Sequence, residues 1–135
     1  MPASNRADFQ ALADEPIADA ATLVAAQRWS AAYYLAGYAI ECGPKACVAR
    51  LTKEYDFPRR NTADIYTHNL DKLVNSAGLG IPFQAAMEVE RQLELSWTFV
   101  KDWSEDARYD VRSEAQARDM YDKTVIVLNW IRTQW

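Results

Sequence analysis

The chain holds one histidine, His68, and few other side chains suited to chemistry at neutral pH. Histidine transfers protons there because its charge changes near neutrality. Arginine suits a phosphate because its planar fork presents paired N–H donors. The arginines that stand out are Arg108, which precedes Tyr109, and the adjacent pair Arg59 and Arg60. A further set is Tyr34, Tyr38, Glu41 and Lys45, separated by steps of four, three and four. On a helix that spacing makes a row. Glu41 precedes Lys45 by four residues, the favourable order for an ion pair, which contributes about 0.2–0.5 kcal/mol when exposed.

Each group has a structural reading beside the chemical one. His68 stands at an expected helix start, where it serves as a cap or hydrogen-bond partner without any catalysis. Arg108 suits an ion pair with Glu41 or a nearby aspartate, and Tyr109 suits packing. Arg59 and Arg60 are most simply solvated, with a phosphate contact as the alternative. The acidic groups of WSEDARYD lack ligand spacing on a rigid element. Cys42 and Cys47 lack CxxC spacing and read as small buried side chains. No metal and no cofactor is expected.

The elements that would position these residues are helices. Alanine-rich stretches with helical spacing dominate, and strand signals are weak. A short helix is expected over 5–13, then a second from Pro16, at its favoured first turn, to about residue 27. Ile17, Ala20, Ala21, Leu23, Val24 and Gln27 form the expected buried stripe, and Ser30 can cap the next start. A long helix over 30–53 has a small packing face of Ala32, Leu35, Ala39, Cys42, Ala46 and Ala49. Within it, Gly37 and Gly43 each cost about 1 kcal/mol relative to alanine, a cost that close approach of another backbone could offset. Pro44 costs on the order of 3 kcal/mol and favours a kink near residues 40–43.

Residues 54–66 read as a connection. A third helix begins at Thr67 or His68, and Gly78 and Gly80 mark its end. Pro82 opens a fourth helix that carries Ala86, Val89, Leu93, Trp97 and Val100 inward and ends near Trp103. Residues 104–111 read as a loop. Ser113 and Gln116 make a capping box for the last helix. The expected fold is all-α: one domain over 1–135, an antiparallel up-and-down bundle of four main helices with short additional ones.

Half of the 135 residues are apolar and a quarter are charged, which argues for a folded core. The net charge of -4 argues against broad nonspecific DNA binding, though not against a local basic patch on RNA. No apolar run reaches the roughly 20 residues that span a bilayer. The opening residues MPASNRADFQ lack the pattern of a secretory signal. A cytoplasmic location without membrane contact is expected. Five tryptophans and seven tyrosines are divided between core and a possible subunit interface.

The stretch AAYYLAGYAIECGPKACVA resembles the signature of HEPN domains, helical domains common in prokaryotes beside minimal nucleotidyltransferases. HNLDKLV at 68–74 is similar to the family's histidine-started helix, and RYD at 108–110 to its arginine–tyrosine element. The resemblance covers about residues 16–131. It implies a helical bundle that dimerises. Many members are toxin ribonucleases of toxin–antitoxin or defence systems. Others are noncatalytic and bind RNA, a nucleotide or a partner nucleotidyltransferase. Catalytic members carry an arginine, four to six intervening residues and a histidine. Here Arg60 and Arg59 leave seven and eight residues before His68, and Pro44 stands where the family has an apolar residue.

Metal-independent RNA cleavage needs proton transfer and charge stabilisation at the phosphate. His68 and Arg108 are the catalytic candidates for that chemistry. Tyr34, Tyr38, Glu41, Lys45, Arg59, Arg60 and Tyr109 are the ligand-binding candidates. The spacing and the acidic charge favour a noncatalytic HEPN-like module that binds RNA, a nucleotide or a partner protein. A ribonuclease with an unconventional site and a purely structural dimerisation domain are the alternatives. The expected partners are a second copy of the chain, a minimal nucleotidyltransferase, and RNA or a nucleotide.

Overall fold

The structure, a computed structural model, describes residues 6–50 and 68–134. It is all-α, with no strand among the described residues. Six α-helices are α1 (Arg6–Ala25), α2 (Trp29–Arg50), α3 (Leu70–Ser76), α4 (Gly80–Val89), α5 (Arg91–Val100) and α6 (Glu114–Arg132), and a 3-10 helix spans Glu105–Tyr109. None of the described helices is long and apolar enough to cross a membrane.

α1 is one helix where two were expected, and Pro16 lies inside it. Proline there removes the hydrogen bond to the carbonyl of residue 12. Pro16 is buried in line with Ala13, Ile17 and Ala20, so packing along this stripe offsets the lost bond. Ala21, Leu23 and Val24 of the expected stripe are half-buried, and Gln27 is exposed. Gln27 instead ends the helix, in the left-handed region at φ 61. Arg28 N donates to Leu23 O and Gln27 N to Val24 O, the paired bonds of a Schellman turn.

α2 follows at once and runs unbroken through Pro44. Every residue from Ala39 to Pro44 is buried, as expected for a helix enclosed on all sides. α1, α6, α3 and the 3-10 helix all pack against it. The two glycines have different neighbours. A Cβ on Gly43 would lie 3.1 Å from Leu128 Cδ1 and 3.3 Å from Ile131 Cγ2, both on α6. A Cβ on Gly37 would fall within the Trp103 indole. Ser30 lies inside α2 and does not start it; its Oγ accepts from Arg112 N at 2.9 Å. The Arg112 guanidinium then covers the Tyr33 ring at 4.1 Å.

α3 starts later than expected, because Asn69 and not His68 is its cap: Asn69 Oδ1 accepts from Lys72 N. Gly78, at φ 73, closes α3 with a second Schellman turn, Gly78 N to Asn75 O and Leu79 N to Val74 O. Gly80 opens α4, which puts Pro82 third in the helix. The first turn lacks intrahelical N–H partners, so proline costs little there.

The expected fourth helix is two, divided at Glu90, whose backbone is extended at φ -121 and ψ 96. The break changes the rotational phase. Leu93, Trp97 and Val100 are buried, whereas Val89 is 82 % exposed. Residues 105–109 form a 3-10 turn where a loop was expected, with Ala107 inside it and Trp103 just before it both buried. α6 begins with the expected capping box: Gln116 N donates to Ser113 Oγ, and Ser113 N to Gln116 Oε1. Its Ala117, Met120, Thr124, Val127, Leu128 and Ile131 are buried.

Candidate functional site

Glu41 is the acidic side chain at the centre of the site, and only 2 % of it is exposed. A carboxylate so buried must be paired or it is costly. Its Oε1 meets His68 Nδ1 at 2.5 Å, and its Oε2 accepts from Lys45 Nζ at 3.4 Å. The expected Glu41–Lys45 pair is therefore present, but Glu41 also reaches across 27 positions of sequence to His68. Arg108, the other partner considered for Glu41, is not at this carboxylate.

The far nitrogen of His68, Nε2, lies 3.4 Å from Glu105 Oε2 at the start of the 3-10 helix. His68 thus links α2 to the 3-10 helix while leading into α3. Its side chain is 48 % exposed and that of Glu105 43 %, so the outer contact is weakened by solvent.

His68 opens onto a cleft of about 420 Å³. Its walls are the 68–71 segment and residues 101–106. The charged lining groups are Asp71, Asp102, Glu105 and Asp106 against Lys101. This wall carries more negative than positive charge and repels phosphate. No group of three or more histidine, cysteine, aspartate or glutamate side chains among the described residues can hold a metal ion.

Trp103 forms part of the cleft floor and connects it to the tyrosine row. The Tyr34 ring lies 5.6 Å from Trp103 and 6.3 Å from Tyr38, stacked on the latter at 15°. Gly37 makes room for the indole between them. Of the row Tyr34, Tyr38, Glu41 and Lys45 on α2, Glu41 is the member that pairs with His68.

Tyr38 and Cys42 form a pair of neutral groups. The Cys42 sulfur, followed by burial, pushes the Tyr38 phenol up to about 12. Burial first, then the Glu41 carboxylate, pushes the Cys42 thiol up to about 12. Such a thiol is a weak nucleophile at neutral pH. Cys42 and Cys47 are both buried, as the sequence suggests.

Arg108 is not a lining residue of the cleft. It is exposed and covers the Tyr109 ring at 4.9 Å; its pKa is raised, chiefly by the hydrogen bond to the Tyr109 side chain. Tyr109 is 73 % exposed, contrary to the packed role considered for it. The structure therefore brings together His68, Glu41 and Lys45, and leaves Arg108 and Tyr109 as a separate exposed pair. Arg59 and Arg60 lie outside the described residues.

Sequence reasoning did not identify Glu105 or Trp103 as site residues. Trp103 was not legible, since the helix glycines suggested close approach of a backbone, whereas Gly37 makes room for an indole. Glu105 had no signal, because one carboxylate in an acidic segment looks like any other. No protein-family model, curated protein or solved structure matches the chain.

Proposed function

We propose that this chain is a noncatalytic HEPN-like module that works by binding a partner protein. The observation that supports this reading is the position of His68 between Glu41 and Glu105. A general base needs a nitrogen lone pair directed at substrate. Here one nitrogen meets a buried carboxylate, and the other faces a second carboxylate. Among the described residues Arg108 stands apart from this centre, so no described arginine fork faces the histidine.

The acidic cleft wall favours a protein partner with a basic segment over RNA or a nucleotide. The HEPN resemblance supplies the wider proposal: an antiparallel bundle of four main helices, paired with a second copy of itself, in a prokaryotic toxin–antitoxin or defence system beside a minimal nucleotidyltransferase. A cytoplasmic location belongs to the same reading.

One titration tests it. A dye-labelled lysine-rich peptide and a labelled RNA oligonucleotide are each mixed with the protein in EDTA. Binding is read by anisotropy, and the RNA is then run on a gel. The proposal predicts salt-sensitive peptide binding that Asp102→Asn with Asp106→Asn weakens, and intact RNA. RNA cleaved by the wild type but not by folded His68→Ala or Arg108→Ala would overturn it in favour of a ribonuclease. Absence of peptide binding would overturn the choice of a basic partner.

A further inference from the structure

We infer that the outward face of α4 is the surface through which two copies of this chain pair, helix against helix and antiparallel about Ala85. The inference rests on the pairing proposed above and supplies the surface that it leaves unnamed. Its basis is an exposed apolar row. Ile81 is 87 % exposed and Val89 82 %, and Pro82 and Ala85 are exposed with them. Ile81, Ala85 and Val89 are four residues apart, so they share one side of the helix. Phe83 points the other way. It is buried, with its ring 5.1 Å from that of Trp97 on α5 and 4.7 Å from that of Trp130 on α6. α4 is thus held on one side and bare on the other.

The other exposed apolar side chains do not make an equal surface. Lys123 Nζ covers the Phe99 ring at 4.7 Å, and Arg108 covers the Tyr109 ring at 4.9 Å. Leu95, Phe99 and Ile126 are each less than half as exposed as Ile81. Val111 stands in the link between the 3-10 helix and α6. A row of uncovered apolar side chains on one helix face marks an interaction site, where scattered single ones do not.

A second α4 fits this row. With Ala85 on a two-fold axis, Ile81 of each copy meets Val89 of the other, and the two alanines meet at the centre. The small central residue lets the helices approach, and the larger side chains close both ends. The charges agree with the antiparallel order. The N-terminus of α4 has no side-chain cap and no acidic residue in its first turn, and Pro82 contributes no N–H. It is the positive end of the helix dipole. Glu88 is exposed near the opposite end and shares the outward face, seven residues after Ile81. In the antiparallel pair it falls opposite Pro82 of the other copy, beside that uncapped N-terminus. A parallel pair would set the two glutamates together. A helix of ten residues is about 15 Å long and covers less than the roughly 800 Å² per partner of a standard interface. The pair is therefore weak and forms as concentration rises.

Sedimentation velocity of the full chain over a concentration series tests this, on wild type, Ala85→Arg and Ala85→Glu. Ala85 is exposed, so both variants are expected to keep the fold, which circular dichroism checks. The wild type should pass from monomer to dimer as concentration rises. Each variant alone sets two like charges face to face across the axis and should raise the dissociation constant about tenfold or more. Mixing the two variants sets opposite charges there and should restore the pair. A wild type that stays monomeric would overturn the inference together with the pairing proposed above. A dimer that ignores Ala85→Arg would overturn the α4 surface and leave that pairing standing. A mixture that stays monomeric would overturn the two-fold axis at Ala85.

Discussion

α2 has two sides that meet the rest of the molecule by different physics. On one, Gly43 lies against the methyl groups of Leu128 and Ile131 on α6. On the other, Gly37 lies under the Trp103 indole and Glu41 reaches His68. The first contact is apolar and adaptable, since aliphatic ends can move by tenths of an ångström. The second is fixed by a rigid ring system and a buried charge. The same residue type therefore plays two roles in one helix: at Gly43 it brings helices closer, and at Gly37 it shapes the floor of a cleft.

The widest test of that difference is the same substitution on both sides. Gly37→Ala drives a methyl into the indole and should cost about 1–3 kcal/mol as overpacking, measured by urea unfolding. Gly43→Ala should be within about 1 kcal/mol of wild type, because alanine's helix propensity offsets the tight contact. Equal effects would erase the distinction between the sides.

His68→Ala comes next. It leaves the buried Glu41 carboxylate with Lys45 as its described partner, and should lower stability by about 1–2 kcal/mol at neutral pH. Little change would mean that water satisfies Glu41.

The Tyr38–Cys42 pair predicts how this side responds to base. Both groups are held neutral when folded, up to about 12, against ordinary values of 10.0 and 9.0. Above an ordinary value the unfolded chain loses a proton that the folded chain retains, so the unfolded state is favoured. Stability should be level below about pH 9 and fall from there towards pH 12. Cys42→Ala with Tyr38→Phe should flatten that decline in pH-dependent unfolding curves.

The helix ends provide the smallest effects. Ser113→Ala removes one half of the capping box and should cost about 1 kcal/mol. Gln27→Gly relieves a side chain from positive φ in a turn where Gly78 already occupies the matching position. It should raise stability by a few tenths to about 1 kcal/mol, seen as a higher Tm.

These elements also show what was legible from the residues alone. The capping box at Ser113 and the turn at Gly78 were, because each is a local motif with its own hydrogen bonds. The end of α1 near Gln27 was legible as well, although Ser30 is not the cap of the next helix. The break at Glu90 was not: it carries no glycine or proline to mark it, and tertiary packing sets the backbone there. Pro16 misled in the other direction, since a buried stripe on α1 tolerates a missing hydrogen bond. At the site, the row Tyr34, Tyr38, Glu41 and Lys45 follows from helical spacing alone. The partnership of Glu41 with His68 does not, because spacing says nothing about which distant residue a helix side meets. Arg108 was assigned to the site on residue type, and its exposed position over Tyr109 separates it.

The central claim is that the buried charge of Glu41 is committed to His68, which joins α2 to the segment leading into α3. A double-mutant cycle on Glu41→Gln and His68→Ala, read by urea unfolding at fixed pH, measures that commitment directly. A coupling energy of at least about 0.5–1 kcal/mol is the predicted result. Additive effects of the two substitutions would contradict the claim, and would leave His68 as a surface residue beside the cleft.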